Sequence, residues 1–226
     1  MKIINLGAND SAIGHFMAAL RDPARQADRT LFRLGMTRIA RAMAYEISRT
    51  LDYSAKDIPT PLGTARVRTA DNRLVVGTVL RAGLAFHEGF LDVFPEADSA
   101  FVSAYREEGA ADDIRVHLEY IAAPRLDGAT FLLVDPMLAT GGSLELAHKA
   151  FLTCGTPEKL HICTVIAAPE GIARLEACFP TDDVTFWTAA IDDHLNAEAY
   201  IVPGLGDAGD LSFGPKLSGK QLESLP

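Results

Sequence analysis

The chain has 226 residues, 48% hydrophobic and 23% charged, a composition that suits one sizeable domain with a real core. Its formal net charge is −9, with 30 acidic against 21 basic residues, which repels phosphate backbones and argues against a nucleic-acid partner. No apolar run approaches the roughly 20 residues that span a bilayer, and no basic stretch followed by an apolar one opens the chain, so a cytoplasmic protein with no membrane partner is expected. The three cysteines, Cys154, Cys163 and Cys178, are odd in number and widely spaced. They suggest neither a disulfide framework nor a zinc site, and are expected to be buried and reduced.

In chain order, the N-terminal region (about 10–55) reads as helical and the core as about 60–214 of a single domain. Asp22-Pro23 has the form of an N-cap followed by Pro at the first helical position. Phe32, Met36, Ile39, Met43 and Ile47 then recur at spacings of three and four, the stripe of an amphipathic helix. Pro59–Pro61 is expected to end that region and open a loop. Leu74–Leu80 reads as a strand, Leu84–Phe94 as a helix and Ser99–Ala104 as a short strand. Ile114, Val116, Leu118 and Tyr120 alternate with polar residues, as in a strand with one covered face. Phe131–Asp135 reads as a buried strand. Leu144–Cys154 reads as a helix with Gly155 placed to stop it. A strand at Leu160–Ala167, a helix at Pro169–Phe179 and a strand at Val184–Ala189 follow. From Tyr200 onward the chain is rich in Gly and Pro and reads as ordered loop. Strands alternating with helices imply a mostly parallel sheet covered on both faces, an α/β fold.

An acidic chain that takes a polyanion must hold it locally, and one segment has the anatomy for that. Phe131–Val134 form a strand, Asp135 stands at its end, and Pro136-Met137-Leu138-Ala139-Thr140-Gly141-Gly142-Ser143 lead into a helix. The two glycines let the backbone approach a ligand, and the helix start supplies free N–H groups and the positive end of a dipole. Thr140 and Ser143 can add hydroxyl donors. On anatomy alone a plain strand-to-helix turn with a Ser cap is an equal alternative. A Walker A loop is excluded because no Lys follows Gly142, and a dinucleotide fingerprint because its glycine spacing is absent here.

The run Val134–Ser143, VDPMLATGGS, resembles the motif that binds 5-phospho-α-D-ribosyl-1-pyrophosphate (PRPP) in type I phosphoribosyltransferases, in the wording of the uracil phosphoribosyltransferase family. Pro136 stands where most type I relatives carry a second acid. Two further stretches are similar to the same family, Val79-Leu80-Arg81-Ala82-Gly83-Leu84 and Ser103-Ala104-Tyr105-Arg106-Glu107-Glu108. The resemblance implies that Arg81 and Arg106 contact the pyrophosphate of PRPP, a task that suits a guanidinium fork. It also implies that Glu107–Arg125 forms an arm-like hood over PRPP, excluding water as a competing nucleophile. The acidic run Glu-Glu-Gly-Ala-Ala-Asp-Asp after Arg106 departs from the family's usual one.

Near the C-terminus, Gly204, Gly206 and Gly209 fit G-x-G-x-x-G, yet only 17 residues follow Gly209, too few for the rest of a dinucleotide unit. The segment YIVPGLGDAGD (Tyr200–Asp210) resembles instead the family's uracil-binding loop. The resemblance implies main-chain contacts to uracil around Ile201 and Gly206, Asp207 and Ala208, with Asp207 also on the ribose side of PRPP. Uracil's acceptor–donor–acceptor edge can be matched by fixed backbone groups, which cytosine would leave unpaired. Leu211 stands where the family usually has Arg. Glu145 and His148 form an E-x-x-H, but a carboxylate-bridged metal site needs a second copy and none is present, so a solvated helix face is expected.

These likenesses imply a type I phosphoribosyltransferase fold with a small hood or β-arm. They imply conversion of uracil and PRPP to UMP and diphosphate, in uracil salvage, with Asp135 and Asp207 as positioning and electrostatic groups. Mg²⁺ would be held mainly through PRPP, with no protein metal site. Family members are often dimers or tetramers, and some respond to GTP. A phosphoribosyltransferase for another base, or a regulatory nucleotide-binding protein that keeps the fold, are the alternatives.

Overall fold

The computed structural model describes residues 1–106, 116–180 and 183–216. Strand β1 is Lys2–Asn5. Helices α1 (Ala12–Arg21), α2 (Pro23–Gln26) and α3 (Arg29–Ser48) follow. Asp22 caps α2 with Pro23 at its first position, as expected from the sequence, but the chain breaks again before the amphipathic stripe. There Asp28 accepts hydrogen bonds from the N–H groups of Thr30 and Leu31 and starts α3 afresh.

Strands β2 (Tyr53–Thr60) and β3 (Gly63–Ala70) then pair antiparallel as a two-stranded hairpin that, among the described residues, bonds to no other strand. This corrects the expectation of a loop opening at Pro59–Pro61: those residues close a β-arm. Pro59 is tolerated because the strand is an edge. Beyond it come β4 (Leu74–Leu80), α4 (Leu84–Val93), β5 (Asp98–Arg106), β6 (Val116–Ala122) and β7 (Thr130–Val134). The rest of the chain supplies β8 (Met137–Leu138), α5 (Gly142–Phe151), β9 (Lys159–Ala167), α6 (Pro169–Cys178) and β10 (Val184–Ile191). Two short strands, β11 (His194–Leu195) and β12 (Ile201–Val202), precede α7 (Ala208–Phe213). The expected hood at Glu107–Arg125 divides: residues 107–115, and with them Ile114, lie outside the described residues, and β6 runs antiparallel to β5.

The main sheet has the order β1-β10-β9-β7-β4-β5-β6, with β8 added beside β9. Every pairing is parallel except β5 with β6. Its central strands are mostly apolar because both faces are covered, and successive residues serve opposite cores. Val76, Leu132, Val134 and Cys163 face α3 and α4, packing with Met36, Ile39, Met43, Phe86 and Phe90. Val75, Phe131, Leu133 and Ile162 face α5 and α6, packing with Leu144, Phe151 and Leu175. Each fully buried side chain of this size contributes about 1.5–3 kcal/mol relative to exposure.

The cysteine expectation holds only in part. Cys163 is buried, where desolvation drives its thiol pKa well up, but Cys154 is half-buried and Cys178 exposed; all three are free. Glu145 is not on a simply solvated face either. It pairs with Lys149 and with Arg174 of α6, which holds its carboxyl well below the usual range, while His148 lies edge-on to the Phe179 ring.

Candidate functional site at the carboxyl edge of the sheet

The sheet order places the site. From β4 the chain moves outward to β5 and β6, then returns to the other side of β4 as β7 and continues outward through β9 and β10. The loops after the adjacent strands β4 and β7 therefore depart in opposite directions and leave a crevice between them. The two strand ends are fastened there by the Thr78 hydroxyl, which donates to the Val134 carbonyl at 3.0 Å.

The loop after β7 lines one wall of this crevice. Asp135, Met137, Leu138, Ala139, Thr140, Gly141, Ser143 and Leu144 surround a single recess. The loop is rigidly backed: Asp135 N–H donates to Cys163 O, and Pro136 O accepts from Val165 and Ile166 N–H. Ala168 N–H donates to Leu138 O, and Gly171 of α6 comes so close that an added Cβ would lie 2.3 Å from Ala139 O. Gly141 adopts φ +81°, the left-handed region that suits glycine, and α5 starts after it with no side-chain cap. Free N–H groups at a helix start facing a recess are an anion site. Gly142 stands beside the Arg174 guanidinium, whose charge is already paired with Glu145 in the first turn of α5.

Asp135 is 8% exposed at the floor of the recess. Burial pushes its carboxyl up to about 7, opposed only in part by a hydrogen bond from Met137 N–H. A carboxylate poised there is a strong acceptor for a ligand hydroxyl.

On the opposite wall, Arg81 follows β4, and the turn Arg81–Gly83 leads into α4, a second helix without a side-chain cap. Arg81 Nη2 donates to Asp210 Oδ1 at 2.6 Å and to Gly214 O at 2.7 Å. The guanidinium thus bridges the β4 loop to the C-terminal segment, and among the described residues Nε and Nη1 remain as donors. Arg106 ends β5 opposite Val116; its side chain lies outside the described part of the chain.

The predicted base loop arrives at the same edge. Ile201 and Ala208 are buried, Gly206 has φ +88°, and Asp207 stands at the start of α7. Asp207 has a task the sequence did not disclose: its carboxylate accepts from Asp210 N–H at 2.9 Å and caps the helix. Leu211 packs against the core with its Cδ1 close to Gly206. The glycine triplet leads only into six-residue α7, with no strand after it among the described residues, which disposes of the dinucleotide reading.

The structure therefore brings Asp135, the 136–143 loop, Arg81 and the 201–210 loop to one edge of the sheet. A family profile described as uracil phosphoribosyltransferase matches residues 8–215. The chain belongs to the uracil phosphoribosyltransferase family. It is similar to the uracil phosphoribosyltransferase of Porphyromonas gingivalis, at 44% identity over 96% of this chain and all of that protein. It is also similar to that of Thermococcus gammatolerans, at 38% identity over 91% of this chain and 90% of that one. Among solved structures, the AQ2163 protein from Aquifex aeolicus superposes with a TM-score of 0.83 and 32% identity, covering 96% of this chain and all of that one.

The chain has the mostly parallel, helix-flanked sheet of the type I phosphoribosyltransferase fold, with α1 and α3 packed on the α4 face. Several residues that support these loops carry no motif signal: Arg174 behind the 136–143 loop, and Arg21, Gln26 and Arg33 behind the 201–214 segment. Each acts from an element far away in sequence, so spacing could not reveal it. For Gly171 and Asp192 the one signal is that the stretches Ala168–Gly171 and Ala190–Asn196 also resemble the family's sequence.

Proposed function

We propose that this chain converts uracil and PRPP to UMP and diphosphate, as a uracil-salvage enzyme. The observation that carries the reading is the meeting of an uncapped, glycine-bearing helix start, a buried carboxyl and a glycine-rich base loop at one topological switch point. In this reading the N–H groups of residues 139–143 and the hydroxyls of Thr140 and Ser143 hold the 5′-phosphate. Pro136, Met137 and Leu138 carry the backbone between strand and phosphate cradle. Asp135 accepts from the ribose hydroxyls. Arg81 and Arg106 hold the diphosphate. Main-chain groups at Ile201, Gly206, Asp207 and Ala208 read uracil, and Asp207 also meets the ribose side.

Uracil N1 attacks C1′ while the bond to the diphosphate oxygen breaks and the N1 proton passes to solvent or to the departing diphosphate, with inversion and a transition state of oxocarbenium character. No covalent enzyme intermediate is required; positioning and electrostatics carry the rate. Mg²⁺ prefers hard oxygen ligands and would enter held mainly by the substrate's own oxygens, beside the Asp135 carboxyl that lines the recess. Its contribution when bound is to offset charge on the leaving diphosphate.

The same proposal includes a homo-oligomer, dimer or tetramer. It is supported by the β2–β3 arm, which leaves Ile58, Leu62 and Val67 uncovered. It also includes a cytoplasmic location, which suits three free cysteines. No described helix is long and apolar enough to cross a membrane. The test is nucleotide formation from PRPP and Mg²⁺ with uracil, cytosine, hypoxanthine and orotate side by side. Uracil alone should be consumed at an appreciable rate, and turnover of another base in its place would assign the site elsewhere.

A further inference from the structure

If uracil is read by main-chain atoms, its recognition depends on whatever fixes the loop's backbone, and that support comes from the N-terminal helices. Arg21, the last residue of α1, donates from Nη1 to Asp192 Oδ2 at 2.8 Å and from Nη2 to Asp192 Oδ1 at 2.5 Å. The same Nη1 donates to Gly204 O at 2.9 Å, and Gly204 N–H returns a bond to Asp192 Oδ2 at 2.8 Å. Both polar groups of Gly204 are thus held in one closed ring of three residues. The Asp192 side chain is 3% exposed, and its own N–H is bonded to Ala167 O at the end of β9. Gly204 is a tight pivot: it has φ +65°, and an added Cβ would lie 2.1 Å from Ile201 O. It stands between the two stretches assigned to the base, Ile201 and Gly206–Ala208. Gln26 supports the next residue, donating to Leu205 O at 2.8 Å, and Arg33 donates to Ser212 O at 2.7 Å.

We propose that Arg21, acting through Asp192 and Gly204, is a positioning residue that sets the main-chain geometry with which the base is recognised. This rests on the assignment of 201–208 as the base loop. A bidentate fork is needed because one guanidinium must satisfy both carboxylate oxygens and also reach a carbonyl, which an ammonium point charge does less well. Contacts of this kind must be held to about 0.5 Å to discriminate between bases.

The experiment uses the full chain with Arg21→Ala, Arg21→Lys and Gln26→Ala. Uracil is varied at saturating PRPP, PRPP is varied at saturating uracil, and Tm is recorded for each variant. Loss of charge-assisted bonds predicts a rise of about 10- to 100-fold in KM for uracil with Arg21→Ala, with KM for PRPP within about twofold of wild type. Arg21→Lys should lie between Arg21→Ala and wild type. Gln26→Ala should raise KM for uracil alone by a few-fold, about the effect of one neutral bond. Cytosine should be excluded less strongly by the Arg21 variants than by wild type. Equal changes in both KM values, or a fall in Tm with both KM values unchanged, would overturn the proposal. If Arg21→Ala does not fold, the Lys and Gln26 variants decide by the same criterion. A wild-type protein inactive on uracil would sink the base-loop assignment itself, an outcome distinct from an active wild type whose variants shift both substrates alike.

Discussion

Replacing Asp135 by Asn should make the ligand-free protein more stable at alkaline pH while impairing it as an enzyme. The carboxyl is 8% exposed, and burial raises its pKa to about 7. In the unfolded chain the same group titrates near its ordinary value of about 4. Between those values the native state binds more protons than the unfolded chain. Stability linked to this group is therefore full below about pH 4 and lost as pH rises through 7. Each tenfold difference in proton affinity is worth about 1.4 kcal/mol, so about 4 kcal/mol is lost by pH 8. The amide avoids that loss but must find partners for its own NH2, at a cost of about 1–3 kcal/mol. The net gain expected at pH 8 is about 1–3 kcal/mol, or roughly 2–10 °C in Tm for a chain of this size. Thermal unfolding of both proteins without ligand at pH 4.5, 6 and 8 reads the difference, in which contributions from unaltered groups cancel. The gain should grow with pH and be small or reversed at pH 4.5. In parallel, kcat/KM for PRPP should fall by about 1–3 kcal/mol, the worth of a charge-assisted bond. A Tm difference independent of pH, or an Asn variant less stable at pH 8 than at pH 4.5 relative to wild type, would refute the reasoning.

Asp207→Ala removes a helix cap as well as a site carboxylate, so it should cost about 0.5–2 kcal/mol of stability together with activity. Asp207→Asn keeps an acceptor for Asp210 N–H and should hold Tm within a few degrees while activity falls, which separates the two roles. Gly171→Ala, which would place a Cβ 2.3 Å from Ala139 O, should raise KM for PRPP and lower Tm although residue 171 touches no substrate in this reading; unchanged kinetics would show that the loop yields freely. Arg81→Lys should reduce kcat/KM for PRPP at least about tenfold, because a point charge replaces a fork that also bridges Asp210 and Gly214.

What the sequence disclosed and what it concealed divide along physical lines. The central strands were legible because burial on both faces makes them largely apolar. The turn from β7 into α5 was legible because Gly141 and Gly142 mark it locally, but its anatomy fitted a plain turn equally well, and only the likeness of VDPMLATGGS to a family motif gave it a ligand. The β2–β3 arm was not, because its strands are exposed almost throughout and carry no alternating face for a pattern to show. The break before α3 was hidden because Asp28 caps without any apolar signal. The second role of Asp207 depends on where α7 begins, a boundary of the kind least visible in sequence. The tie from Arg21 to Asp192 spans 171 positions, and no local pattern pairs the two residues.

The measurement that bears most directly on the account is nucleotide synthesis from PRPP and Mg²⁺ with wild-type protein, assayed with uracil and with cytosine. The account predicts UMP and diphosphate in equal amounts from uracil and negligible product from cytosine. Absence of UMP, or equal turnover of both bases, would contradict it.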